Sequence, residues 1–339
     1  MEKLSWVSTV VGSFPRENTP ENMELSFQDQ IDAGVDFPCY PQLGSMIGQF
    51  LDPLSEDPAS GLVKKDGEYY LEKELKIPGE PVALEYGTFV LEYFKKHPEA
   101  RRRVRGWKAC LTGPFTLAGE INIPDRMLDG QKVILFSGPR AIMNGKIVEQ
   151  LAGMMAGIAR AYDSMGASII SMDEPTLALL VGRRLTFFHS EDFIVRTINK
   201  AIAPISNYSS IHICGNVAPK LRDILLQSNV RILDHEFSNG SNSGIFEKSM
   251  FAGNDKSLAY GVLTSKLDKT PGGGLENYVE DVETIKGRIT KAVDAVGREN
   301  LIFKPDCGFG GLKAAFGETF ASEIVRSKLA NLSKAMKDF

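Results

Sequence analysis

Ser210-Ile211-His212-Ile213-Cys214 reads as a short β-strand that carries two metal-ligand side chains on one face, because residues two apart along a strand point to the same side. Two other runs end in the same way. Arg231-Ile232-Leu233-Asp234-His235 leads into Glu236, and Leu301-Ile302-Phe303-Lys304-Pro305-Asp306 leads into Cys307. His212, Cys214, Glu236 and Cys307 then form a four-ligand set of nitrogen, sulfur and oxygen donors. Zinc takes such donors at roughly 2.0 to 2.3 Å in a tetrahedron, and the thiolates argue against magnesium or calcium. His235 alternates with Glu236, so it is expected on the opposite side of its strand. Cys39 and Cys110 read as packing residues.

Working outward, similar apolar runs fall at 6–13, 35–43, 107–112, 168–173, 210–214, 232–236, 258–263 and 301–307. Their all-apolar middles suit strands buried on both faces. Amphipathic helical stretches lie between them, the clearest carrying Met143, Ile147, Leu151, Met154, Ile158, Tyr162 and Met165 at three- and four-residue steps. Eight alternating units predict an α/β fold, a single (β/α)8 TIM barrel with long loops at its C-terminal face. The ligand runs then end where barrel enzymes keep their chemistry. A doubly wound sheet is the alternative, but no Gly-rich dinucleotide turn follows the first strand. One domain is expected over residues 1–339, with insertions at about 52–105 and 114–139. The first insertion contains Val63-Lys64-Lys65-Asp66-Gly67-Glu68-Tyr69-Tyr70, a hairpin signal with Asp-Gly at the turn.

Composition narrows the class without choosing a reaction. The 339 residues are 43% hydrophobic and 24% charged with a net charge of −4, which gives no electrostatic footprint for nucleic acid. Four scattered cysteines make no secreted disulfide framework. The beginning of the chain has no signal-peptide core, and no apolar run approaches the ~20 residues of a membrane helix. A cytoplasmic, reducing location is expected, with neither membrane nor nucleic acid as partner.

Thr9-Val10-Val11-Gly12-Ser13-Phe14-Pro15, Leu111-Thr112-Gly113-Pro114-Phe115-Thr116, Met172-Asp173-Glu174-Pro175, His212-Ile213-Cys214, Glu236 and Pro305-Asp306-Cys307-Gly308 occur in that order. Together they resemble the catalytic barrel of cobalamin-independent methionine synthase, from the first strand to the last. The resemblance implies a TIM barrel and a zinc ion that binds the sulfur of homocysteine. It implies His212, Cys214, Glu236 and Cys307 as zinc ligands, Ser13 at the homocysteine carboxylate and Asp173 at its ammonium. Read from the residues alone, Asp173 has a second reading as a cap of the following helix, though its place at a strand end on the catalytic face favours substrate binding, and Ser13 could equally be a turn residue. Glu174 and Asp306 read as supporting or structural acids. A carboxylate should orient His212 through its far nitrogen, and the sequence does not say which. Glu85 is a candidate second carboxylate for the ammonium.

Three departures from the family pattern bear on the methyl donor. Full-length members carry two barrels, and this chain has room for one. Ala118-Gly119-Glu120 stands where the family has an aromatic-containing segment under the pterin, and Leu263 stands near the family's histidine that protonates the departing folate nitrogen. An amine leaves poorly unless protonated, whereas a reduced corrinoid needs no proton. The expectation is therefore a short single-barrel form related to corrinoid-dependent homocysteine methyltransferases. It would move a methyl group from methylcobalamin, presented by a corrinoid protein, to zinc-bound homocysteine to form methionine. One alternative is alkylation of another thiol such as coenzyme M, for which Arg16 and Arg183-Arg184 offer cations to a sulfonate. An alternative of another class is a corrinoid- or porphyrin-binding barrel whose zinc is only structural.

Overall fold

The computed structural model describes residues 2–128, 130–133 and 135–339. Met1, at the head of the expected 1–339 domain, and Asp129 and Ile134, within the expected 114–139 insertion, lie outside the described residues.

The strands in chain order are β1 (Leu62–Lys65), β2 (Glu68–Leu71), β3 (Lys108–Thr112), β4 (Ile121–Asn122), β5 (Ile169–Asp173), β6 (Tyr208–Ile213), β7 (Ile232–His235), β8 (Ser257–Leu263) and β9 (Leu301–Pro305). Six of them form one parallel sheet in the order β3-β5-β6-β7-β8-β9. Two extended segments close it. Ser8 bridges Phe303, Thr9 bridges Phe37 and Cys39 bridges Lys108, all parallel. The eight segments thus form the ring of a TIM barrel, as the alternation predicts.

The first two segments make isolated bridges instead of full ladders, and the cause is local. Pro38 and Pro41 carry no N–H to donate to a neighbour. At Cys39, the side-chain amide of Gln30 takes over: Cys39 N donates to Oε1 at 2.8 Å and Nε2 donates to Cys39 O at 3.0 Å. The buried backbone is therefore satisfied without a strand partner.

Helices cover the outside of the ring. Thr19, Asn144, Ser190 and Asp281 cap the helices Pro20–Asp32, Gly145–Ser164, Glu191–Ile202 and Val282–Val296 with their side chains. The methionine-rich stripe buries Ile147, Leu151, Met154, Ile158 and Tyr162 of the helix Gly145–Ser164, so it serves packing. Inside the ring, Leu4, Val7, Phe37, Ile169, Ile232, Ala259 and Ile302 form a separate apolar cluster. Residues two and four steps further along the same strands also face inward. They include Lys304, Asp234 and Asp173, so the barrel interior changes from apolar to charged toward its C-terminal end.

The predicted hairpin forms as β1 and β2, with Lys65 opposite Glu68. Asp66 and Gly67 both take positive φ, 50° and 84°, as a primed two-residue turn requires. β2 pairs in parallel with β4, making a small second sheet from the two insertions. Among the described residues no helix is long and apolar enough to cross a membrane.

Candidate metal centre

The parallel register brings the functional ends of four strands to one level. Thr112 pairs with Asp173, Asp173 with His212, and His212 with Asp234. Cys214 follows β6 and Cys307 follows β9. One ligand atom each from His212, Cys214 and Cys307 lie within 4.8 Å of one another. His212 Nε2 is 3.1 Å from Cys214 Sγ, which is 3.1 Å from Cys307 Sγ. Ligand atoms on a tetrahedral zinc are roughly 3.5 Å apart, so the chemistry and spacing of this triangle fit the ion.

Glu236 stands beside the triangle and outside it. Its Oε1 accepts from Gly215 N at 2.9 Å and lies 3.5 Å from Lys266 Nζ, and its Oε2 accepts from Asn239 Nδ2 at 3.3 Å. Three of the four expected ligands are therefore assembled, while the carboxylate is engaged by the backbone next to Cys214 and by an exposed lysine. His235 faces away as alternation predicts. It stacks on Phe246 with centroids 5.5 Å apart, and burial pushes its imidazole down to about 3.

The acid that orients His212 is Asp234, which the sequence reading did not single out. Asp234 Oδ1 accepts from His212 Nδ1 at 2.6 Å, so Nε2 is aimed at the cysteines. The same carboxylate takes Lys304 Nζ at 2.6 Å and Lys108 Nζ at 3.4 Å. β3 and β7 are not neighbours in the sheet, so Lys108 reaches Asp234 across the barrel interior. Burial opposes the charge of Asp234, but Lys304, His212 and Lys108 hold it well below the usual carboxylate range. Burial also opposes the imidazolium of His212, yet Asp234 outweighs it and pushes the ring up to about 9. A metal must displace that proton, so its affinity should rise with pH. A signal was present in the sequence: a lysine within a doubly buried strand, as at Lys108 and Lys304, demands a partner charge.

Asp306 and Glu174 take the structural roles expected of them. Asp306 Oδ1 accepts from Phe237 N at 2.9 Å and Ser238 N at 3.0 Å, and Oδ2 accepts from the Ser238 hydroxyl. It thereby fixes the turn directly after Glu236. Glu174 accepts from Phe115 N and Thr116 N, both at 2.9 Å, and from Thr116 Oγ1 at 2.7 Å, anchoring the start of the helix Pro114–Glu120.

A cavity of about 170 Å³ opens beside the triangle, lined by Ser13, Gln42, Asp173, His212, Cys214 and Cys307 among others. Asp173 is buried, and its Oδ1 has no hydrogen-bond partner among the described residues. Burial pushes its carboxyl up to about 7 against the pull of His212 and Lys108. Ser13 Oγ accepts from Gly310 N at 3.2 Å, and a Cβ on Gly308 would lie 2.0 Å from that oxygen, so glycine is required there. Glu85 is exposed and does not line the cavity. Arg16 is spent on Asp29 at 2.7 Å and Ser26 at 3.2 Å. Arg183 lines a different groove of about 450 Å³ with Asn216 and Asn242. Arg16 and Arg183, two of the cations offered to a sulfonate thiol, are thus turned elsewhere.

Residues 120–336 match the family described as cobalamin-independent synthase, catalytic domain. A methionine synthase of Methanothermobacter thermautotrophicus is 28% identical over 338 residues, covering 92% of this chain and 96% of that protein. A methionine synthase of Methanothermobacter marburgensis is 26% identical, covering 98% and 100%. In structure, the B12-independent methionine synthase from Shewanella sp. W3-18-1, in complex with selenomethionine, superposes with a TM-score of 0.68 at 18% identity, covering 99% of this chain and 98% of that one.

This match corrects the donor. The family is cobalamin-independent, which overturns the expected methylcobalamin, leaves the corrinoid-protein partner without support and shows no kinship with corrinoid-dependent forms. The corrinoid- or porphyrin-binding alternative falls with them. The expectation rested on three absences: a second barrel, the aromatic near Ala118 and the histidine near Leu263. A leaving amine can take its proton from solvent or another acid, so those absences do not select a corrinoid. What the match leaves standing is the enzyme itself: the chain belongs to the cobalamin-independent synthase catalytic-domain family and is a methyltransferase of the methionine synthase kind.

Proposed function

We propose that the chain is a cytoplasmic, zinc-dependent methyltransferase that methylates the thiol of homocysteine to give methionine, with an N-methyl tetrahydropterin of the folate type as donor. The observation that carries the reading is the His212/Cys214/Cys307 triangle at the wall of a cavity that also presents the unpartnered carboxylate oxygen of Asp173. The names of the archaeal relatives support the acceptor, and the cobalamin-independent family supports the donor class.

His212, Cys214 and Cys307 would hold the metal, with Glu236 as its fourth ligand when no substrate sulfur is bound. Zinc bound there would supply a thiolate at neutral pH, where a free thiol with a pKa near 8.5 is mostly protonated. Asp173 receives the substrate ammonium and Ser13 binds the carboxylate on the same carbon, so the two hold the amino-acid end of homocysteine. With its amino-acid end held there, homocysteine keeps its sulfur at the cysteine–histidine corner, an orientation effect on the barrier. In the transfer a C–N bond of the donor breaks, a C–S bond forms, the thiol proton is released and the leaving nitrogen takes up a proton. Reducing surroundings keep Cys214 and Cys307 available as ligands.

The test has two readouts: zinc per chain by elemental analysis, and methionine formed from homocysteine and N5-methyltetrahydrofolate. About one zinc per chain and methionine formation, both lost in Cys307→Ala, are expected. Zinc-free protein that still makes methionine would refute the metal reading, and zinc-loaded protein that makes none would refute the acceptor and donor.

A further inference from the structure

Cys214 and Glu236 share a structural problem. β6 ends at Ile213 and β7 at His235, so each side chain stands just past the ladder that would fix it. Gly215 then takes a φ of 77°, the left-handed region that glycine enters without strain, and the chain turns directly after Cys214. A metal ligand on such a segment needs support from a neighbouring group.

That support comes from an otherwise exposed loop. Asn239, Gly240, Ser241 and Ser243 are exposed, whereas Asn242 among them is only 2% exposed. Its Oδ1 accepts from Val217 N at 2.8 Å, and its Nδ2 donates to Gly215 O at 2.9 Å and to Glu236 O at 2.7 Å. One buried amide thus ties the segment after β6 to the segment after β7. Asp306 grips Phe237 and Ser238 from the β9 side, but Asn242 bonds to both ligand segments at once. Replacing it would strand two backbone carbonyls and one amide, each at the cost of a buried polar group without a partner.

The other hold on Gly215 is conditional. Gly215 N donates to Glu236 Oε1 at 2.9 Å, and that carboxylate is the one proposed above as the fourth ligand. On the metal it would give up the amide of Gly215, while Gly215 O stays on Asn242. We infer that Asn242 is a positioning residue of the metal centre, the permanent link between the two ligand segments that keeps Cys214 in place while Glu236 changes partner. The inference rests on the zinc reading proposed above.

Two readouts report on the centre without turnover: zinc affinity by chelator competition, and the visible bands of cobalt(II) put in place of zinc. Asn242→Leu keeps roughly the volume of the side chain and removes all three bonds. It should weaken zinc by about ten- to hundredfold, the range in which supporting residues act on metal sites, and shift the cobalt bands. Gln30→Leu is the control for a merely structural role. Gln30 is also buried and bonds through its amide to Ser26 O at 3.1 Å and to both backbone groups of Cys39, away from the ligands. It should lower the melting point and leave zinc affinity and the cobalt bands unchanged. Asn242→Ser, small enough to admit a water in place of the amide, should weaken zinc about tenfold and gives the reading if Asn242→Leu does not fold. Wild-type zinc affinity and cobalt bands in a folded Asn242 variant, or an equal loss of zinc in Gln30→Leu, would overturn the inference. Wild-type protein that binds no zinc would instead sink the metal reading itself, and this inference with it.

Discussion

Replacing Asp173 with asparagine should make the metal-free protein more stable at pH 8 and less stable at pH 5, while abolishing tight homocysteine binding. Burial lifts the carboxyl from its ordinary 3.8 to about 7. At about 1.4 kcal/mol for each tenfold change in protonation, burying the charged form costs the folded state about 4 kcal/mol above pH 7. The sign follows from the raised value. The native chain keeps a proton that the unfolded chain has released, so stability is full below about pH 4 and falls as pH rises through 7. Roughly 2.5 kcal/mol of the loss accrues between pH 5 and pH 8. Asparagine has no charge to bury, but its amide adds an unpartnered donor at a cost of about 2 kcal/mol. The balance is a loss near pH 5 and a gain of about 2 kcal/mol at pH 8. Glu174, also pushed up to about 7 by burial and in smaller part by Asp173, loses that smaller push in the variant, which adds to the gain at high pH. Urea unfolding of both metal-free proteins across this pH range measures the difference, and calorimetry of the zinc-loaded forms measures binding. A stability gap that stays flat with pH, or asparagine that binds homocysteine as tightly as aspartate, would refute the assignment of Asp173 as a strained acid kept for the ammonium.

Glu174→Ala leaves the amides of Phe115 and Thr116 buried without an acceptor, and about 3 kcal/mol of stability should be lost; thermal unfolding would reveal an error if the melting point did not move. Asp306→Ala releases the turn after Glu236, and zinc affinity should fall about ten- to hundredfold with little loss of helix content, a result that chelator competition and circular dichroism separate. Lys266 is 74% exposed beside Glu236, so Lys266→Met should change stability by less than about 0.5 kcal/mol, and a larger drop in the urea midpoint would count against its surface role.

The barrel was legible because strands buried on both faces must be apolar in their middles, and eight such runs stand in the chain. Period-two alternation was enough to turn His235 away from the site and to set His212 with Cys214. What the sequence concealed depends on which strands become neighbours. Asp234 and His212 are 22 residues apart and meet only because β6 and β7 pair in one register. Lys108 meets Asp234 only because the ring closes. Glu236 shows a different limit: its strand position was readable, but the side-chain direction depends on Gly215 N and Lys266, which no local pattern announces. The donor was misread because an absent barrel and two absent side chains were given the weight of evidence that only a present group can carry.

The two wall segments joined by isolated bridges divide the barrel mechanically. Ser13 sits on this loosely stitched side, bridging Gln42, whereas His212 and Glu236 belong to the side with continuous ladders. Backbone amides at 6–13 and 35–43 should exchange with deuterium sooner than those of β5 and β6. The cavity then has one stiff wall and one that breathes. The wall that carries His212 and Glu236 keeps its geometry, and the give falls on the side that carries Ser13.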